Sequence, residues 1–185
     1  MINVQLVTGM RPGEVVLMRT CDIDISGKIW EYRPPSHKTE HHVIERVVFL
    51  GPKAQAIVRP LLGSELAGYL FRPKDALRDM RQRRAENAHV RRRPDRLTHW
   101  PKPRTQTGDH YTSASYCYAI HKACRAAGVP VWGPNRLRHN AATFLRKQFG
   151  IEAARVILGH TSAAVTEVYA EMDRAKAADI MSVVG

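Results

Sequence analysis

The stretch that decides the fold lies in the last third of the chain. It contains Asn135-Arg136-Leu137-Arg138-His139, then Leu158-Gly159-His160, and then Tyr169. A further arginine lies near the amino terminus, in Thr8-Gly9-Met10-Arg11-Pro12-Gly13-Glu14. Guanidinium groups bind the nonbridging oxygens of a phosphate bidentately, and a tyrosine hydroxyl can act as an oxygen nucleophile. Together these residue types suit the binding of a phosphodiester and an attack on its phosphorus.

The charge of the chain points to a polyanionic partner. The 185 residues include 29 lysines and arginines against 17 aspartates and glutamates, which gives a net charge of +12. Such an excess attracts nucleic acid, the commonest polyanion of the cytoplasm. Charge alone also fits a merely soluble basic surface or an RNA-binding protein. The aromatic residues do not cluster with the basic run, as stacking platforms for RNA bases would.

Other features of the composition narrow the class of protein. No run reaches the roughly 18 to 20 apolar residues of a membrane span. The amino terminus lacks the basic start and apolar core of a signal peptide, so we expect a cytoplasmic protein without a membrane partner. The three cysteines, Cys21, Cys117 and Cys124, form no CxxC pair, which argues against a disulfide framework or a zinc site. We expect all three to be small buried residues.

Hydrophobic patterns predict a mainly helical α+β fold. Alternating residues predict strands over 21–25, 29–32 and 46–50, which would form a small antiparallel sheet near the amino terminus. Pro12 predicts a helix that ends near Arg19. Helical spacing and glycine breaks predict further helices at 112–127, 136–149, 152–158, 163–171 and 175–183. The length fits one domain over residues 1–185.

A basic segment at 72–104 interrupts this pattern. Its first half, 74–88, has helical character, and three prolines break the second half. The segment is either a disordered solubilising loop or an arm that contacts DNA phosphates, and composition does not separate the two. The predicted DNA contacts are Arg81, Arg83, Arg84, Arg91, Arg92 and Arg93.

Cleavage of a DNA strand without a metal ion sets definite chemical requirements. The transition state carries extra negative charge that fixed cations must meet. The attacking phenol, with a pKa of ~10, must lose its proton, and the leaving 5′ oxygen must gain one. Arginine suits the binding of phosphate oxygens, whereas lysine or histidine suits the proton transfer.

Four segments resemble motifs of the tyrosine recombinase (phage integrase) family, and the resemblance covers nearly the whole chain. Residues 8–14 resemble the box "TGxRxxE", and residues 135–139 resemble "HxxRH". Residues 158–169 resemble "LGHxxxxxTxxY", and Lys38-Thr39 resembles the lysine pair of the family's hairpin. The resemblance therefore implies a tyrosine-recombinase catalytic domain with 72–104 as an insertion.

The resemblance implies a role for each matching residue. Arg11 and Arg138 match the two catalytic arginines, and Lys38 matches the general acid that protonates the 5′ oxygen. His160 would hydrogen-bond the scissile phosphate. Tyr169 would be the nucleophile that forms a 3′-phosphotyrosyl bond.

Two supporting residues and one departure complete the predicted site. Glu14 matches an acidic residue that orients the site, and His139 matches a residue that is structural rather than catalytic. Asn135 stands where a histidine is usual. An amide can hydrogen-bond phosphate but cannot shuttle a proton, which places general-base help from Asn135 in doubt.

No metal or cofactor is expected. The histidines His37, His41 and His42, which flank Lys38, lack a helical face or nearby cysteines that would complete a metal site. Metal-independent transesterification also needs no high-energy cofactor, since the phosphotyrosine conserves the bond energy.

The resemblance also implies partners and leaves alternatives. Site-specific recombination by this family would use double-stranded DNA and a homotetramer. Most members precede the catalytic domain with a core-binding domain, which we expect to be absent here. The alternative is a truncated, inactive remnant that binds DNA without recombining it. The last helix resembles a tail that docks on a neighbouring subunit, but packing on its own domain is an equal alternative.

Overall fold

The computed structural model describes residues 1–36, 46–63, 65–87, 108–159 and 178–184. The helices are α1 (Ile2–Thr8), α2 (Pro12–Val16), α3 (Pro52–Val58), α4 (Pro73–Glu86), α5 (Ser113–Ala126), α6 (Asn135–Leu158) and α7 (178–184). The strands are β1 (Ile23–Asp24), β2 (Trp30–Tyr32) and β3 (Val48–Leu50), and short 3-10 turns span Thr20–Asp22 and Arg59–Leu61. This mainly helical fold with one small sheet confirms the predicted class.

The sheet is antiparallel in the order β1-β2-β3, as predicted. Tyr32 pairs with Ile23 on one side and Val48 on the other. The first strand is shorter than the alternation predicted because Cys21 and Asp22 belong to a 3-10 turn, where Asp22 accepts two hydrogen bonds from the Arg19 guanidinium at 2.7 Å.

Cys124 is buried, Cys117 is half-buried and Cys21 is exposed, so the prediction of a buried cysteine was wrong for Cys21.

β3 separates two hydrophobic clusters. Successive side chains of a strand point to opposite faces. Val48 and Leu50 accordingly enter a first cluster with α1, α2 and α5, while Val47 and Phe49 enter a second cluster with the end of α6. Because it is covered on both faces, β3 is fully apolar.

A kink at Gly150 divides α6 into two helical segments. Gly150 has φ 86 and ψ 172, a conformation open to glycine, and it interrupts the helix where the sequence predicted a break. Gly159 then ends the helix in the left-handed region, with φ 61. No helix within the described ranges is long and apolar enough to cross a membrane.

α7 packs on its own chain. Met181 is 1% exposed, and it lies in the second cluster beside Ile157 and Leu158 of α6. Val183, by contrast, is 77% exposed. The described part of this helix thus packs on its own domain through Met181, and docking on a neighbouring subunit stays a prediction.

A buried hydrogen-bond chain joins α1 to α5. The Tyr116 hydroxyl donates to Gln5 Oε1 at 3.0 Å, and Gln5 Nε2 donates to the Met10 carbonyl at 3.2 Å. Burial raises the pKa of Tyr116 to about 12, so its hydroxyl is a reliable donor at neutral pH. These two hydrogen bonds fix the turn that leads from α1 to Arg11.

Removing the Tyr116 hydroxyl should destabilise the fold. Tyr116→Phe leaves the buried Gln5 oxygen without its donor, at a cost of about 1 to 3 kcal/mol. Tyr118→Phe is the matched control, because Tyr118 lies on the same helix and is 64% exposed. Urea unfolding should show a loss for Tyr116→Phe and a change within about 0.5 kcal/mol for Tyr118→Phe. Equal effects would contradict the role of this hydrogen bond.

Candidate active site

Glu14 is the buried carboxylate around which the site forms. It lies three positions after Arg11, the residue that precedes α2, and this spacing lets its side chain reach back to the helix start. Oε2 accepts from the Arg11 backbone N–H at 2.7 Å, and Oε1 accepts from Arg11 Nη1 at 2.9 Å. The carboxylate thus fixes both the backbone and the guanidinium of Arg11.

Gly9 brings this turn close to α6. Its φ of 67 is left-handed, and a Cβ at this position would lie 2.5 Å from Leu158 Cδ2. Only glycine allows so close an approach. Arg138 Nη1 crosses the contact and donates to the Gly9 carbonyl at 2.8 Å.

Three successive carbonyl oxygens at the end of α6 each accept a hydrogen bond from a different arginine. Ile157 O accepts from Arg46 Nη1 at 3.1 Å, and Leu158 O accepts from Arg138 Nη2 at 2.6 Å. Gly159 O accepts from Arg11 Nη2 at 3.5 Å. The last carbonyls of a helix have no partner within it and carry partial negative charge, so cations stabilise them.

The charges of this cluster are unbalanced among the described residues. Arg11, Arg46 and Arg138 surround the single carboxylate of Glu14, which also accepts from Arg46 Nε at 3.3 Å. Burial alone would raise the pKa of Glu14, but the Arg46 charge and the hydrogen bonds from Arg11 outweigh it and lower that pKa. Burial first, and then the charges of Arg11 and Arg46, lower the pKa of Arg138 to about 10. Glu14 is therefore ionised and Arg138 protonated at neutral pH.

Arg11 is the most open member of the cluster. Its side chain is 22% exposed, whereas the Glu14 side chain is 2% exposed and Arg138 is 8% exposed. Arg11 and Arg138 each use two side-chain hydrogen bonds within the described residues, and a guanidinium has five N–H donors. With respect to the described residues, both therefore keep N–H groups that can donate to an added anion.

The structure brings together three residues that the sequence predicted as neighbours in a site, Arg11, Glu14 and Arg138. Asn135 and His139 are exposed on the first turns of α6, with no side-chain hydrogen bond to a described residue. Lys38, His160 and Tyr169 lie outside the described residues.

The predicted basic insertion is described only in part. α4 has no buried residue, and Arg81, Arg83 and Arg84 are exposed on it without an ion pair to any residue in the described ranges. Arg91, Arg92 and Arg93 lie outside those ranges. Among the residues that the structure describes, no group of three histidine, cysteine, aspartate or glutamate side chains could hold a metal ion.

Sequence reasoning missed Arg46. It appeared only as the first residue of the predicted strand 46–50, yet its side chain is 5% exposed and contacts both Glu14 and the end of α6. One signal was available, because Arg46 directly precedes the apolar run 47–50. An arginine buried beside such a strand needs a partner from elsewhere in the chain.

The sequence matches the model of a known protein family. The model of the phage integrase family matches residues 1–176. The chain belongs to the phage integrase family. No curated protein matches the sequence.

The structural comparison finds a transposon integrase that shares this family member's fold and a recombinase of weaker similarity. The Tn1549 transposon integrase in complex with circular intermediate DNA matches 94% of this chain and 58% of its own, with a TM-score of 0.56 and 14% identity. The XerH site-specific recombinase bound to difH substrate matches 94% of this chain and 40% of its own, with a TM-score of 0.49 and 20% identity. The chain thus spans 40% to 58% of the length of these two proteins.

Gly159 should tolerate alanine less well than a glycine of similar conformation. A Cβ on Gly159 would lie 2.6 Å from Arg46 Nη1, whereas a Cβ on Gly128, with φ 67, would meet nothing within 4 Å. Both substitutions strain a left-handed residue by about 1 to 2 kcal/mol. Gly159→Ala should cost a further ~1 to 3 kcal/mol, because Arg46 must leave its buried partners.

Urea unfolding of the two alanine variants gives this comparison directly. Equal free energies of unfolding for Gly159→Ala and Gly128→Ala would mean that Arg46 yields freely, against the packing described here.

Proposed function

We propose that this chain breaks and rejoins DNA strands at specific sites by metal-independent transesterification. The observation that carries the proposal is the convergence of Arg11 and Arg138 on the adjacent carbonyls of Gly159 and Leu158. Two guanidinium groups with spare donors, held side by side, suit the nonbridging oxygens of one phosphate. Family membership supports the same reading.

The reaction follows from the residues that match the family motifs. The Tyr169 oxygen attacks the scissile phosphorus and forms a 3′-phosphotyrosyl bond, while the bond from phosphorus to the 5′ oxygen breaks. Lys38 gives its proton to the leaving oxygen, and a water molecule takes the proton that the phenol loses as it attacks. Rejoining is the reverse reaction with a different 5′ hydroxyl, so no external energy source is needed.

The arginines would supply the electrostatic part of catalysis. Negative charge grows on the equatorial oxygens as the phosphorus becomes five-coordinate. Because Arg11 and Arg138 are already held by Glu14 and by backbone carbonyls, they would meet that charge with little reorganisation. His160 and Asn135 would add hydrogen bonds to the phosphate.

Double-stranded DNA is the proposed partner, bound by a homotetramer during strand exchange. The net charge of +12 supports binding to the DNA backbone. The exposed Arg81, Arg83 and Arg84 of α4 would contribute phosphate contacts, together with Arg91, Arg92 and Arg93. Binding at these contacts releases counterions from the DNA. A higher salt concentration makes that release less favourable and so lowers the affinity.

A covalent adduct on nicked DNA tests this function. Nicked, randomised duplexes let the short strand diffuse away after attack, so the protein–DNA adduct accumulates on a denaturing gel. Wild type and Tyr118→Phe should form the adduct, and Tyr169→Phe should not, because it lacks the nucleophilic oxygen. Sequencing the trapped DNA would give the preferred site.

Two other outcomes contradict the proposal in different ways. Salt-sensitive DNA binding without any adduct would indicate the inactive, DNA-binding remnant that the altered Asn135 also suggests. An adduct that persists in Tyr169→Phe would show that another residue is the nucleophile.

A further inference from the structure

Arg46 links three parts of the chain from a buried position. Its Nε donates to Glu14 Oε1 at 3.3 Å, and its Nη1 donates to the Val47 carbonyl at 3.2 Å and to the Ile157 carbonyl at 3.1 Å. It thereby connects α2, the entry to β3 and the end of α6. Gly159 leaves no spare volume on this side, since a Cβ there would lie 2.6 Å from Arg46 Nη1.

Burying the Arg46 charge is costly for the fold. Burial, and secondarily the charge of Arg11, lower the pKa of Arg46 despite the ion pair with Glu14. Its Nη2 is buried and has no hydrogen-bond partner among the described residues. Replacing a buried ion pair with well-packed apolar residues is often neutral or stabilising. That holds for the pair as a whole, because removing Arg46 alone would leave Glu14 buried without this partner. A buried pair of charges beside Arg11 therefore points to a role in the site as well as in the fold.

The hydrogen bonds indicate that Arg46 acts on Arg11 through Glu14. Glu14 Oε1 accepts from both Arg11 and Arg46, so Arg46 fixes the carboxylate that in turn fixes Arg11. The Arg46 side chain is 5% exposed against 22% for Arg11, so DNA reaches Arg11 but not Arg46. Arg46 can act on a phosphate only through its neighbours.

We propose that Arg46 is a positioning residue, which holds Glu14 and the Ile157–Gly159 backbone so that the Arg11 guanidinium is presented to the scissile phosphate. The inference rests on the proposed function of Arg11 as a phosphate ligand. Arg46 also joins the first motif to the start of the third, because His160 directly follows Gly159 in the sequence. Its loss would affect the rate of attack more than the affinity for DNA.

A double-mutant cycle on adduct formation tests the proposal. Arg46→Met keeps an unbranched side chain but removes the charged guanidinium, and Glu14→Gln removes the negative charge with which Arg46 pairs. Each single variant should slow single-turnover adduct formation by roughly 10-fold to 100-fold, as expected for a misplaced catalytic group. The double variant should be no slower than the slower single one, because both changes interrupt the same path to Arg11.

The conservative variant and a matched pair separate positioning from general stability. Arg46→Lys keeps the charge but has one nitrogen in place of the planar fork, so it should recover the rate only in part. Arg155→Met and Glu152→Gln change a similar arginine–glutamate pair on the outer surface of α6 and should leave the rate unchanged. DNA affinity should change less than about threefold in all of these variants, since none removes a proposed phosphate contact.

A readout without catalysis keeps this inference distinct from the proposed function. In the full chain, the NMR signal of the Arg11 Nε–H group should shift and broaden in Arg46→Met, as Arg11 loses its fixed partner. The pKa of the Glu14 carboxyl should rise in the same variant, because the Arg46 charge helps to lower it. Both signals should stay unchanged in Arg155→Met.

Each result decides one of the two claims. Multiplicative rate losses in the cycle, or an unchanged Arg11 signal in a folded Arg46→Met, would overturn the positioning role. If wild type forms no adduct, the proposed function fails, and the Arg11 signal alone then decides whether Arg46 positions Arg11.

Discussion

The hydrogen bonds from three arginines to three successive carbonyls at the end of α6 are the constraint on which the site depends. They join the turn before α2, the entry to β3 and the first turns of α6 to one short piece of backbone. The close approach requires glycine at both contact points, Gly9 and Gly159, where a Cβ would lie within 2.6 Å of a neighbouring side-chain atom. The same bonds satisfy helix-end carbonyls that have no partner inside α6.

This arrangement holds three positively charged guanidinium groups close together, although they repel one another. In the part of the chain that the structure describes, one carboxylate, that of Glu14, stands among three guanidinium groups, and carbonyl oxygens add further stabilisation. Such a cluster is costly for the protein alone. A phosphate that approaches Arg11 and Arg138 would relieve the excess of charge. The folded chain would thus carry, before it meets DNA, part of the electrostatic field that a five-coordinate phosphorus needs.

Local patterns in the sequence were sufficient for part of this account. Alternation predicted the strands, glycines predicted the breaks at Gly150 and Gly159, and motif spacing selected Arg11, Glu14 and Arg138. Arg46 was missed because its partner Ile157 lies 111 residues away, and periodicity carries no information on such a contact. The exposure of Cys21 was missed for a related reason, since a 3-10 turn replaced the predicted start of β1. Tertiary packing decided both cases.

The most direct test of the account is a crystal structure of the chain trapped on nicked duplex DNA. We expect Arg11 and Arg138 to donate to nonbridging oxygens of one phosphate, while Arg46 still contacts Glu14 and the Ile157 carbonyl. Little movement of the α6 end relative to α2 should accompany binding. A scissile phosphate bound away from these two arginines, or an Arg46 that leaves Glu14 to bind DNA, would contradict the claim that the arginine–carbonyl contacts preform the site.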